Sequence, residues 1–214
     1  MTSLSTLARA ARLGTPRKRG VTLIEAVLYI SIALALIVGG LVFFQQASLA
    51  QRTNSAVRNI SAVASEVRSL YQQSNSFAGV DEVTLINAGA VPSGIIDNTT
   101  NPATLKNEWG GFIQVASAPA VAPFPADTGF TVTYRGVPEA ACTRLTSTDA
   151  SGTARVGSGV RFIAFGLPNA ALAGGTAPVD PATGLPTLTP SDVADFCRPD
   201  NSTGTFDIMF TFNR

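Results

Sequence analysis

The spacing of apolar residues changes character along the chain, and each change marks an element. From Val21 to Phe44 the only residues outside the apolar set are Thr22, Glu25, Ser31, Gly39 and Gly40. As a helix rising 1.5 Å per residue, this run covers about 36 Å, enough to cross a bilayer core of about 30 Å. The sequence turns polar at Gln45-Gln46, and apolar residues then resume at Val57, Ile60, Val63, Ala64, Val67, Leu70 and Tyr71. Spacings of three and four line one face of a helix. Arg52, Arg58, Glu66 and Arg68 take the remaining faces, and Asn75, Ser76 and Gly79 supply stop signals. The pattern predicts one helix from about Val21 to Ser74, its first half facing lipid and its second half packed on a domain. Gly39-Gly40 is its weakest point, since each glycine costs about 1 kcal/mol relative to alanine.

Past the helix the period shortens. Residues 80 to 108 are broken by Pro92, Gly94, Asn98 and Pro102 and read as a loop-rich link to a sheet. Trp109-Gly110-Gly111 opens a strand at Phe112-Ile113-Gln114-Val115, and a proline and alanine stretch from Ala118 to Ala126 makes an exposed connection. Phe130, Val132 and Tyr134 alternate with Thr131, Thr133 and Arg135, as in a half-buried strand. Pro138 and Glu139 start a helix that turns Cys142 inward, and Gly159 to Phe165 is a further strand. Pro168 to Pro186 forms a surface loop suited to lateral or ligand contacts, and Thr189 to Cys197 a short capped helix. The last strand is the clearest: Phe206, Ile208, Phe210 and Phe212 on one face, Thr205, Asp207, Met209 and Thr211 on the other. Asn98-Thr99-Thr100 and Asn201-Ser202-Thr203 match the glycosylation sequon, but polar turns account for both.

Composition narrows the chemistry. Charged residues are 14% of the 214 and the formal net charge is +1, which gives nucleic acid no electrostatic claim. The absence of His excludes Ser/His/Asp and Cys/His catalysis and removes the commonest transition-metal ligand. Cys142 and Cys197 have no zinc spacing; in an exported chain such an even pair is expected to close one disulfide, with two buried thiols as the alternative. Neither cofactor nor metal is expected. The acids Asp81, Glu82, Asp127, Glu139, Asp192 and Asp195 form no recognisable catalytic constellation and read as solvated loop and cap residues.

The anomaly is Glu25. An acid at the centre of a membrane helix costs about 2.5 to 3.5 kcal/mol, less near an end, and asks for a partner. No basic residue lies between Val21 and Phe44, so the partner comes from another chain or from a new amino terminus. Cleavage after Gly20 creates such an amine at Val21. Gly20 follows Arg17-Lys18-Arg19, and residues 1 to 20 carry basic but no acidic residues, which holds this segment on the cytoplasmic side. It differs from a secretory signal peptide, whose cleavage site follows the apolar stretch. An ordinary signal anchor with Glu25 near the interface is the plainer alternative.

Gly20, then Val21-Thr22-Leu23-Ile24-Glu25 and a long apolar helix, resembles the processing site of type IV prepilins. The resemblance implies that a membrane-bound prepilin peptidase cuts between Gly20 and Val21 and methylates the Val21 amine. It also implies that Glu25, as the fifth residue of the processed chain, pairs with the terminal amine of an adjacent subunit. A leader of this length with valine after the cut resembles the type IVb pilins, and Trp109-Gly110-Gly111 after Leu105 and Asn107 resembles those of the conjugative thin-pilus group. The expected fold is α+β, the type IV pilin fold: a long N-terminal α-helix packed on an antiparallel β-sheet headgroup with a C-terminal disulfide-bonded region.

The resulting organisation is a leader at 1–20, a transmembrane and assembly half-helix at 21–44, an amphipathic half at 45–76 and a headgroup at 77–214. The implied function is the major subunit of a type IVb pilus, held first in the bacterial inner membrane and then in an extracellular filament serving adhesion, aggregation or mating contact. Its implied partners are the peptidase, the inner-membrane assembly machinery, the lipid bilayer and identical subunits. A type II secretion pseudopilin or minor pilin shares Gly20, Val21 and Glu25 and stays as the alternative; a membrane-tethered hydrolase is the reading from a different class.

Overall fold

The computed structural model describes residues 22–120, 124–147, 154–166, 190–197 and 204–214. The chain divides into two compact units between Phe44 and Gln45. Helix α1, Leu23–Leu70, runs through that point and through Gly39-Gly40 without interruption. It ends short of Ser74: the chain leaves the α-helix in a turn, with Ser74 N donating to Tyr71 O at 3.0 Å and Ser74 Oγ to Ser76 O at 2.7 Å. Ser74 and Ser76 are hydroxyl residues that compete with the helix for backbone groups.

In the first unit, the residues of α1 up to Phe44 expose apolar side chains in every direction, from Leu23 at 85% to Phe44 at 69%. In the second unit α1 is amphipathic, burying Thr53, Ala56, Ile60, Val63, Ala64 and Val67 in the core. Two positions depart from the expected face. Leu70 is 45% exposed because the helix ends there, and Arg68 leaves its solvated face to reach the sheet, as described below.

The sheet is antiparallel throughout, in the order β1-β2-β3-β4-β6-β5. Its strands are β1 (Ile96–Asp97), β2 (Thr104–Lys106), β3 (Phe112–Ser117), β4 (Gly129–Pro138), β5 (Val160–Gly166) and β6 (Thr205–Asn213). The alternation of the last strand places it at the centre, with Phe130 opposite Phe212, Val132 opposite Phe210 and Tyr134 opposite Ile208. These residues are all buried; Phe130 stacks on Phe212 at 5.3 Å between ring centres, and Phe77 packs tilted against Phe130 at 5.2 Å. Burial of each such ring contributes about 1.5 to 3 kcal/mol.

Residues 80 to 108 are more structured than a loop-rich link: they hold α2 (Glu82–Asn87), a single 3-10 turn (Ser93–Ile95) and strands β1 and β2. Asp81 starts α2 by accepting from Thr84 N at 2.6 Å. Asn98-Thr99 is a turn, closed by Thr99 N donating to Asp97 Oδ1 at 3.0 Å. Thr131 and Thr133 are 4% and 7% exposed, so the outer face of β4 is more enclosed than half-buried alternation implies. Both are short side chains on a strand flanked on each side by β3 and β6, whose neighbouring residues cover them.

Pro138 ends β4 and caps α3 (Glu139–Thr146), which turns Ala141, Cys142 and Leu145 into the core. Helix α4 (Pro190–Phe196) brings Cys197 to Cys142, and the two form a disulfide with Cα atoms 5.8 Å apart. Phe196 stacks on Phe165 of β5 at 5.1 Å, so α4 is attached through a ring contact as well as a bond. Residues 1–20, Val21, the Pro168 to Pro186 segment, Thr189 and the Asn201 sequon lie outside the described residues.

Candidate assembly site

At the start of α1, Thr22 precedes the helix and its Oγ1 accepts a hydrogen bond from Glu25 N at 3.4 Å. Thr-x-x-Glu is the spacing of an N-terminal capping box, a signal the apolar pattern alone does not reveal. Glu25 therefore has a local role, an acid in the first turn where the helix dipole favours it. Its carboxylate is exposed, and Oε1 stands 3.5 Å from the Tyr29 hydroxyl one turn later. Ser31 is satisfied within the helix, donating to Val27 O at 2.8 Å. The result is a helix segment apolar on all sides with one acid near its end. Such a surface is stable in lipid or against other apolar helices, and not in water.

The second unit holds its part of α1 rigidly. Arg68 extends over the Phe130 and Phe212 rings, donating from Nε to Asn213 O at 3.1 Å and from Nη2 to Ser158 O at 3.0 Å; burial lowers the pKa of its guanidinium. Asn59 Nδ2 donates to Glu108 Oε1 at 2.6 Å, and Ser61 Oγ to Val156 O at 2.8 Å. Burial pushes the Glu108 carboxyl up, opposed by its hydrogen bonds and by Arg58.

The Trp109-Gly110-Gly111 turn is fixed by a residue whose role no local pattern shows. Asn107 Oδ1 accepts from both Trp109 N and Gly111 N at 2.9 Å, while its Nδ2 donates to Arg135 O at 2.7 Å. Gly110 has φ +84°, and a Cβ on Gly111 would run into Arg135 O, so the backbone entering β3 meets that of β4 where only glycine fits. Across this point β4 carries a bulge between Tyr134 and Val137, opposite Asp207 of β6. Asp207 accepts from Gly136 N at 2.9 Å and from Arg135 Nη1 at 2.7 Å; Arg135 also donates from Nε and Nη2 to Gln114 Oε1 at 2.9 and 2.7 Å.

The acids considered for hydrolysis are dispersed. Asp81 caps α2, Glu82 and Glu139 stand in the first turns of α2 and α3, Asp192 in that of α4, and Asp127 occupies a turn with φ +60°. Among the described residues, no three His, Cys, Asp or Glu side chains converge on a metal-sized site.

Residues 50–206 match the protein family described as PilS N terminal. The chain is 28% identical over 186 residues to the major structural subunit of bundle-forming pilus of Escherichia coli O127:H6, spanning 87% of this chain and 91% of that one. Its counterpart in Escherichia coli O111:H- is 27% identical over the same shares. A crystal structure of type IV b pilin from Salmonella typhi matches with a TM-score of 0.50 at 24% identity, covering 75% of this chain and 99% of that chain. At that identity the likeness concerns the fold.

Proposed function

Since this chain belongs to the PilS family of type IVb pilins, and so is a structural subunit of a pilus rather than an enzyme, we propose a route by which it is processed and assembled. A prepilin peptidase cuts between Gly20 and Val21 and methylates the new amine. Residues 1–20 are discarded. Residues 21–44 hold the subunit in the inner membrane with the headgroup, 77–214, carried outside on the amphipathic half-helix, 45–76. Assembly machinery in that membrane then draws the helix out of lipid into a filament of identical subunits.

The observation that supports this route is the helix segment up to Phe44, exposed on all sides and carrying Glu25 in its first turn. Extraction from lipid forfeits the contacts of that surface. Packing against the same segment of other subunits returns them, at about 25 cal/mol per Å² of apolar surface buried. Glu25 completes the interface by accepting from the terminal amine of a neighbouring subunit, a charge-assisted bond in low dielectric. A heterologous interface of this kind does not close on itself and grows as a fibre.

A pseudopilin or minor pilin shares the same processing residues; the bundle-forming relatives, both named major subunits, favour the major role. The filament is proposed to serve adhesion, aggregation or conjugative mating contact. Intact-mass and N-terminal analysis of sheared surface filaments, with and without reduction, tests the route. A chain beginning at N-methylated Val21, two hydrogens heavier after reduction, is the expected result. A chain keeping residues 1–20 and confined to membranes overturns it.

A further inference from the structure

Lipid offers no hydrogen bonds, so each polar group of a membrane-held segment must be satisfied by the chain itself or by a neighbour. Four side chains from Thr22 to Phe44 carry such groups, and two of them, Thr22 and Ser31, are engaged by the helix backbone. Thr22 Oγ1 accepts from Glu25 N, and Ser31 Oγ donates to Val27 O. The two groups left are the Glu25 carboxylate and the Tyr29 hydroxyl. They occupy positions four apart, on one face of the helix, and the hydroxyl lies 3.5 Å from Oε1. That is at the long end for such a bond, whose usual range is about 2.5 to 3 Å.

We propose that Tyr29 is a positioning residue for assembly: its hydroxyl donates to Glu25 Oε1 while the subunit stands in lipid and holds the carboxylate against the helix face. A carboxylate accepts at both oxygens, with about four lone-pair sites. Tyr29 occupies one of them at Oε1 and leaves Oε2 open. The carboxylate is thereby held before the amine of an adjacent subunit arrives, and its second oxygen can take that amine without first giving up the hydroxyl. Phenylalanine at this position keeps the ring in lipid and removes only the donor. The proposal rests on the reading that Glu25 pairs with a terminal amine, and its test separates the two.

The processed full-length chain, its glutamates carbon-13 labelled, is reconstituted in phosphatidylethanolamine and phosphatidylglycerol vesicles and examined by infrared spectroscopy. Glu25→Gln assigns the Glu25 carboxyl band by its loss. In Tyr29→Phe that band is expected to shift, and filament formation in cells is expected to slow by about tenfold, the equivalent of one hydrogen bond to a charged group. An unmoved band overturns the hydrogen bond, and a shifted band with wild-type assembly overturns the positioning role. Filaments formed by Glu25→Gln at the wild-type rate overturn the amine pairing instead, whatever the band shows in Tyr29→Phe.

Discussion

Asp207, wholly buried on the last strand, accepts a hydrogen bond at 2.7 Å from Arg135, which lies on the bulge of the strand beside it. Its other oxygen accepts from Gly136 N, so one carboxylate satisfies both the guanidinium and the backbone group that the bulge frees. Removing one partner of a buried ion pair leaves an uncompensated charge and costs about 3 to 5 kcal/mol. Arg135 keeps some contact with water and its bonds to Gln114, which places Asp207→Ala at the lower end. The loss is measured as a lower urea midpoint for the detergent-solubilised chain; an unchanged midpoint contradicts the assignment.

Gly111→Ala tests the close approach of β3 and β4. The added methyl meets the backbone carbonyl of Arg135, and neither group can turn aside as a flexible side chain could. Overpacking of this kind costs about 1 to 3 kcal/mol, occasionally more. We expect poor folding, loss of the Asn107 bonds to Trp109 and Gly111, and little pilin in sheared fractions. Gly94→Ala, which meets nothing within 4 Å, is the control and retains wild-type stability.

The disulfide joins residues separated by 55 positions. Loop entropy then predicts a contribution on the order of 4 kcal/mol, felt chiefly through the unfolded chain. The double variant Cys142→Ser with Cys197→Ser is expected to unfold at lower denaturant and to yield fewer filaments. Equal midpoints for the oxidised and reduced wild-type chain would count against it.

Asp97 provides a pH dependence with a definite sign. The Lys106 ammonium, assisted by the Thr99 hydroxyl and amide, holds its carboxyl down to about 2, from an ordinary value of 3.8. A depressed pKa adds stability that is fully present above the ordinary value and is lost as pH falls through the depressed one. Acidification from about pH 4 to pH 2 is expected to loosen the β1–β2 pairing. Amide exchange at Thr104 to Lys106 follows this, and Lys106→Met weakens the dependence, leaving the share due to the Thr99 hydroxyl and amide.

Tyr134 tests the opposite case, a polar atom that burial leaves unsatisfied. Its hydroxyl has no hydrogen-bond partner among the described residues, and burial pushes the phenol pKa well up, with the Glu108 charge adding to it. Tyr134→Phe is expected to raise stability by about 1 kcal/mol, since it removes a group that forgoes its bond to water. A lowered denaturation midpoint would reveal a bridging water.

What the residues disclosed by themselves follows the range over which the governing interactions act. The period of α1 and the alternation in β4 and β6 are set by neighbours along the chain, so the long helix, the central strands and the inward Cys142 were all legible. Arg68 and Asp207 were not. Both stand at positions that local alternation assigns to solvent, and both are drawn inward by partners far away in sequence, Asn213 and Ser158 for one and Arg135 for the other. Strands β1 and β2 were hidden for a different reason: two and three residues are too few to display a period. At the assembly end, Glu25 stood out through the cost of an acid in lipid. The capping of α1 by Thr22 and the proximity of Tyr29 depend on helix geometry, which a count of apolar residues does not contain.

Among the described strands, β6 is made last, yet it lies between β4 and β5 and links them in the sheet. A chain emerging from its amino terminus therefore cannot close its core partway. Until residues 205–213 arrive, β4 lacks a partner on one side, β5 has none to pair with, and Phe130 and Val132 face no ring from β6. A chain broken off before this strand leaves a row of bare amide and carbonyl groups along β4, open to cleavage or to mispairing. The order of the strands thus makes closure of the headgroup sheet wait for residues 205–213.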